Sequence, residues 1–152
     1  MTALRDYHEV RSRILALCEG EDDVIALMAT ISAELFHHFE GFDWVGFYRV
    51  TAPETLKIGP YQGGHGCLVI PFDKGVCGAA ARTRATQCVD DVTLFEGHIA
   101  CASSTQSELV IPVFDHDSQL LGVLDIDSDQ PAFFGQHDID NLTELLALCF
   151  AA

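Results

Sequence analysis

Residues 108–127 read ELVIPVFDHDSQLLGVLDID. Two short apolar runs, Glu108–Phe114 and Gln119–Asp127, flank a polar turn at Asp115–Ser118. Runs of that length, rich in Val, Ile and Leu and bounded by Asp and Ser, read as two strands of one hairpin. A hairpin pairs its strands antiparallel. The sheet that grows from it is therefore mostly antiparallel.

Upstream, Trp44–Val50 (WVGFYRV) alternates as a strand, with Thr55–Gly59 as its partner across a Pro-containing turn. Gly59–Gly66 (GPYQGGHG) is a glycine-dense loop, and Cys67–Pro71 a short apolar strand. Gly75–Arg84 (GVCGAAARTR) reads as a short glycine-led helix. Residues 90–107 carry little periodicity and form a long loop, which in a compact domain is usually functional.

Helices frame the strands. Residues 3–19 place Tyr7, Val10, Ile14 and Leu17 on one face and stop at Gly20. Asp22 or Asp23 caps a second helix running to about Glu40, with Val24, Leu27, Ile31 and Leu35 as its stripe. A last helix covers about Gln136–Cys149 and buries Ile139, Leu142, Leu145, Leu146 and Cys149. Two helices, three strands, a short helix with a long loop, two strands and a helix make an α/β chain of the α+β type.

The 152 residues suit a single domain over 1–152. No apolar run is long enough to span a membrane, and MTALRDYHEVRSR lacks the apolar core of a signal peptide, so the expected location is cytoplasmic. A net charge of −15 argues against nucleic-acid and anionic-membrane partners, and favours cationic or zwitterionic small ligands.

Three features carry chemistry. In LLGVLDID, alternation puts Leu121, Val123, Asp125 and Asp127 on one face and Leu120, Leu124 and Ile126 on the other. Glu108 opens the neighbouring strand, so pairing brings three acids together. Crowded, dehydrated carboxylates raise one another's pKa. Such a group can hold an ammonium and keep one acid protonated, although a solvated sheet end has the same pattern. In WVGFYRV, Trp44, Gly46 and Tyr48 share a face, leaving a gap at the glycine walled by aromatics. Plain core packing is the alternative.

The third feature is the thiols. Of six cysteines, Cys18 and Cys149 sit in helical patterns as buried, inert thiols. Cys77 stands at the start of a short helix, where a thiol pKa is lowered. Cys101 lies in GHIACASSTQSE, three residues after His98, and small residues 102–104 follow with backbone N–H groups suited to an anion. Cys67 follows the glycine-rich loop. The set fits one attacking thiol and one or two that reach it. A zinc site from His98, Cys101, Cys67 and Cys77 has spacings that match no paired C-x-x-C arrangement. No strand-elbow-helix pattern surrounds Cys101, and Gly59–Gly66 matches neither a P-loop nor a dinucleotide fingerprint.

The segments FDWVGFYRV, IGPYQGGHGCLVIPFDKGVCGAA, DVTLFEGHIACASSTQSELVIPV and LLGVLDIDS, over about residues 42–128, resemble the free methionine-(R)-sulfoxide reductases, which have a GAF fold. The resemblance implies a central, mostly antiparallel sheet of about six strands flanked by helices. It aligns Cys101 with the catalytic cysteine and Cys67 and Cys77 with resolving ones. It aligns Glu108, Asp125 and Asp127 with substrate-binding acids, and Trp44 and Tyr48 with the aromatic wall. Cys88 has no role in it, and Ala102 stands where the family usually carries Asp.

The implied activity needs no bound cofactor or metal. Cys101 attacks free methionine-(R)-sulfoxide and becomes a sulfenic acid, Cys67 or Cys77 closes a disulfide, and thioredoxin reduces it. Homodimers are common in the family. A GAF-type ligand-sensing or redox-sensing module without catalysis is the competing expectation.

Overall fold

The computed structural model describes residues 4–99 and 101–152. Residue 3, the expected start of the first helix, and Ala100 of the long loop lie outside them. The elements run α1 His8–Leu17, α2 Val24–His38, β1 Trp44–Ala52, β2 Thr55–Gln62, β3 Val69–Pro71, α3 Gly75–Thr83, β4 Gln87–Val89, β5 Ser107–Phe114, β6 Leu120–Ser128 and α4 Gln136–Phe150. The six strands form one sheet in the order β3-β2-β1-β6-β5-β4, every pair antiparallel.

The two sheet faces have different cover. Val45 and Phe47 of β1, Leu109 and Ile111 of β5, and Leu124 and Ile126 of β6 pack against α1, α2 and α4. This is the main core, and each fully buried Leu, Ile or Phe in it stabilises by about 1.5–3 kcal/mol. The opposite face carries Trp44, Tyr48, Val110 and Val123, covered by Val76, Cys77, Ala80 and Ala81 of α3. The period-two pattern of the strands thus separates a structural face from a face with chemistry on it.

Local signals explain the boundaries. The Asp23 side chain accepts hydrogen bonds from the backbone N–H groups of Ile25 and Ala26, at 2.8 and 3.1 Å, and starts α2. Asp138 Oδ2 accepts from Gly135 N–H at 3.0 Å at the start of α4. The same buried carboxylate accepts from Arg5 and from the Tyr7 hydroxyl, at 2.9 and 2.7 Å, tying the segment before α1 to α4.

Five details depart from the sequence reading. Leu17 ends α1 exposed, while Tyr7, Val10 and Ile14 are buried as predicted. Cys18 and Cys149 are only partly buried against the main core. The first half of the glycine-dense loop is strand, because β2 continues to Gln62; β3 pairs only with Thr55–Lys57, so the far end of β2 has a free edge that tolerates Pro60. The sixth strand, β4, has three residues between the short helix and the long loop, too short to read. Finally, Leu121 packs with the main core and Leu120 with the opposite face, the reverse of simple alternation. The register explains it: Val113 pairs with Gly122 but Phe114 with Leu120, so Leu121 is an extra, bulged residue.

Candidate functional site

Register assembles the acids. Glu108 of β5 lies directly opposite Asp127 of β6, and Val110 opposite Asp125. On the other side of β6, Trp44 of β1 pairs with Asp127 and Gly46 with Asp125. Three neighbouring strands thus bring Glu108, Asp125, Asp127, Trp44 and Tyr48 to one face. Glu108 and Asp125 are buried, and Oδ1 of both Asp125 and Asp127 lacks a hydrogen-bond partner among the described residues.

Burial pushes all three carboxyl groups above their ordinary values, Asp125 and Asp127 furthest. For Asp125 the charges of Asp127 and Glu108 add to the effect of burial, and for Asp127 the charge of Glu108 does. Such a cluster retains protons as a unit and can offer a hydrogen-bond donor beside an anionic acceptor. His98 Nε2 sits 3.8 Å from Glu108 Oε2, and burial lowers the His98 pKa, so this contact joins two groups that both favour the neutral form.

The aromatic wall differs from the expected gap. The Trp44 indole folds over Gly46, between the rings of Tyr48 and Tyr61, with centroids 5.9 and 5.2 Å away and planes 22° and 16° apart. A Cβ on Gly46 would lie 2.4 Å from Tyr61 Cβ and 2.6 Å from the indole. The glycine admits the protein's own tryptophan and leaves no hole for a ligand. Trp44 Nε1 donates to Gly64 O at 2.7 Å, which fixes the ring edge. Gly66 is glycine for a similar reason: its Cβ would fall 2.8 Å from the Tyr48 hydroxyl. The loop after β2 thus lies against the aromatics and delivers Cys67.

Cys67 and Cys101 form a disulfide, with Cα atoms 5.3 Å apart across 34 residues of sequence. Cys77 is a free, buried thiol whose Sγ lies 3.9 Å from Glu108 Oε1. The expectation of a lowered Cys77 pKa is overturned. Burial raises it well above the ordinary value, and Asp125, Glu108 and Asp127 add to the rise, which outweighs the helix terminus. Cys88 is exposed on β4, with its thiol 3.7 Å from Phe134 O. The zinc set weighed from sequence is not assembled, since Cys67 and Cys101 are bonded to each other. Cys77, Glu108 and Asp125 do offer three ligand atoms within 4.8 Å of one another.

These groups enclose a cavity of about 30 Å³, lined by Trp44, Tyr48, His65, Gly66, Ile70, Gly75, Val76, His98, Ile99, Cys101, Ala102, Thr105, Glu108, Asp125 and Asp127. It brings together six of the eight residues singled out from sequence; Cys67 is attached through its disulfide, and Cys77 lies behind Glu108. Cys101 N–H itself donates to Ile99 O at 3.0 Å. His65, Thr105 and the outer ring of the stack, Tyr61, were not anticipated, because each is an isolated residue in an irregular or edge segment.

The chain matches the GAF domain over residues 23–152. It is 38% identical to a protein of Escherichia coli named free methionine-R-sulfoxide reductase, over 93% of this chain and 84% of that one. It is 39% identical to the protein of that name from Saccharomyces cerevisiae, over 87% and 77% respectively. The structure resembles the free methionine-R-sulfoxide reductase of Neisseria meningitidis, solved in complex with its substrate, with a TM-score of 0.89 and 38% identity over 98% of this chain and 91% of that one.

Proposed function

The chain belongs to the GAF-domain free methionine-R-sulfoxide reductases, and from that membership we propose that it reduces free methionine-(R)-sulfoxide to methionine with Cys101 as nucleophile. The observation that carries the reading is the Cys67–Cys101 disulfide at one wall of a cavity whose other wall is three protonatable acids and a stacked tryptophan. A sulfoxide reductase needs a thiol that is consumed and renewed, a proton donor for the departing oxygen, and a surface for the methyl group.

In the reduced enzyme the Cys101 thiolate attacks the sulfoxide sulfur. A protonated member of the Glu108, Asp125 and Asp127 group gives its proton to the oxygen. A second member of the group binds the ammonium, backbone N–H groups near residues 102–104 take the carboxylate, and Trp44 with Tyr48 meets the methyl end. The oxygen passes to Cys101 as a sulfenic acid and methionine leaves. The Cys67 thiol then attacks that sulfur, and water departs as the disulfide closes. Two thiols of thioredoxin reduce the disulfide and are themselves oxidised. No bound cofactor enters the cycle.

Cys67 is the resolving thiol in this scheme, and Cys77 stays with the acids. Recognition of both backbone charges restricts the substrate to the free amino acid. A cycle that begins with reduced thiols suits the cytoplasm, one folded unit over residues 1–152 suffices for it, and a homodimer is its proposed assembly. Among the described residues no helix is long and apolar enough to cross a membrane.

A thioredoxin-coupled NADPH assay with free R, free S and peptide-bound methionine sulfoxide tests the proposal. Consumption with the free R form alone is expected. No consumption with it, in folded and reduced protein, would sink the enzyme reading.

A further inference from the structure

Cys77 has no part in the reductase cycle as proposed, yet its thiol is buried among carboxyl groups. Three observations bear on that placement. Cys77 Sγ, a Glu108 carboxylate oxygen and an Asp125 carboxylate oxygen lie within 4.8 Å of one another, with Sγ 3.9 Å from Glu108 Oε1. Asp125 is 5% exposed, lines the cavity and has an oxygen without a hydrogen-bond partner among the described residues. Among the described residues no Lys or Arg lines the cavity. A thiol and two acids in a low-dielectric site therefore face one another without a cation to balance them.

We propose that Cys77, Glu108 and Asp125 form a binding site for a thiophilic divalent cation, zinc or cadmium, which closes the cavity. Zinc bonds run about 2.3 Å to sulfur and about 2.0–2.2 Å to carboxylate oxygen, so a tetrahedral ion holds its donors roughly 3.3–3.7 Å apart. Donor-atom shifts of about 1 Å bring the three from their present separation, within 4.8 Å of one another, to that spacing. Glu108 and Asp125 line the cavity, so water from it would complete the fourth position. The thiolate selects soft cations, and magnesium, which demands six oxygen donors and keeps its water, is refused. Binding displaces the thiol proton and any carboxyl proton to solvent, so occupancy falls as pH falls. No oxidation is involved, and the site persists in both redox forms because Cys77 lies outside the disulfide.

The ion occupies two of the acids assigned to substrate, so its effect on turnover rests on the reductase reading, whereas its binding does not. The test uses oxidised protein, in which Cys67 and Cys101 are sealed. Cadmium alone is titrated while the ultraviolet sulfur-to-cadmium charge-transfer band is followed. A saturable one-to-one band is expected, displaced by zinc and untouched by magnesium. Cys77→Ser should abolish it, Cys88→Ser should retain it, and Asp125→Asn should weaken binding by about tenfold or more. Circular dichroism confirms the fold of each variant; if Cys77→Ser fails to fold, Cys77→Ala and Glu108→Gln replace it. Absence of the band in the native protein, or its persistence without the Cys77 thiol, would overturn the proposal. Neither result depends on methionine sulfoxide.

Discussion

Glu108 and Asp127 face each other as direct partners across the β5–β6 ladder. Like charges in that position destabilise a sheet. The basic group nearest to either, among the described residues, is His98, 3.8 Å from Glu108. With Asp125 one register step away, the arrangement is a local cost to folding, placed where protonated acids are useful.

That cost is measurable through pH. The three acids have folded-state pKa values raised above their unfolded ones, so the folded protein binds more protons between the two. Stability therefore falls as pH rises from about 4 through the raised values, and the full penalty applies above them. Asp125→Asn removes a buried carboxyl that both Asp127 and Glu108 act on. We expect it to stabilise the fold by about 1–3 kcal/mol at neutral pH, with the gain vanishing near pH 4, while turnover is lost. Urea denaturation of both proteins across that range checks the sign, and taking their difference removes the shared repulsion of the −15 net charge. A gain that grows on acidification would refute the assignment.

The thiol roles separate by stoichiometry. Cys101→Ser should form no methionine. Cys67→Ser should form one methionine per protein and then stop, with Cys101 trapped as a sulfenic acid. Under denaturing conditions the oxidised protein should show four titratable thiols, Cys18, Cys77, Cys88 and Cys149, because two of six are paired. Peptide mapping that joined Cys77 to Cys101 instead would exchange the proposed roles of Cys67 and Cys77.

Gly46→Ala tests the aromatic wall. The new methyl would lie 2.4 Å from Tyr61 Cβ and 2.6 Å from the Trp44 ring, so the stack must open. Overpacking of this kind costs about 1–3 kcal/mol. The emission of the single tryptophan should shift to longer wavelength, and KM should rise more than kcat falls. Unchanged emission and KM would show that the stack does not form the wall.

The disulfide form has little room for substrate. Its cavity of about 30 Å³ holds about two water molecules by the usual measure. Free methionine sulfoxide should therefore raise the Tm of the reduced protein and leave that of the oxidised protein unchanged. At a ligand concentration of 100 times Kd, the reduced form should gain about 2.7 kcal/mol. Equal shifts in both forms would remove the idea that the disulfide form leaves no room for substrate.

Much of this was legible along the chain. Alternation in WVGFYRV puts Trp44 with Tyr48, and alternation in LLGVLDID puts Asp125 with Asp127, each pair on one face of its own strand, because strand side chains alternate whatever the surroundings; the β1–β6 pairing sets the two pairs on the same face. A cap at Asp22 or Asp23 and the stripes of α2 and α4 were equally plain, since capping and helical periodicity are local; the structure places the cap at Asp23. Selection of Cys101 from three thiols rested on the family's GHIAC pattern, not on spacing.

What needed the tertiary structure was whatever depends on a partner distant in sequence. The three residues of β4 are strand only because β5 offers its edge. The bulge at Leu121 reverses two side chains through a register shift that no alternation reveals. The gap at Gly46 is filled by Trp44 and Tyr61, a matter of which ring arrives first. The thiol of Cys77 stands at a helix terminus, which by itself lowers its pKa, yet burial beside Glu108 and Asp125 raises it. Sequence thus determined the strand faces, the caps and the residue types of the site, because those follow from local periodicity and side-chain chemistry. The pairing of Cys67 with Cys101 and the protonation of the acids were decided by the fold, because distance and desolvation exist only once separate segments have packed together.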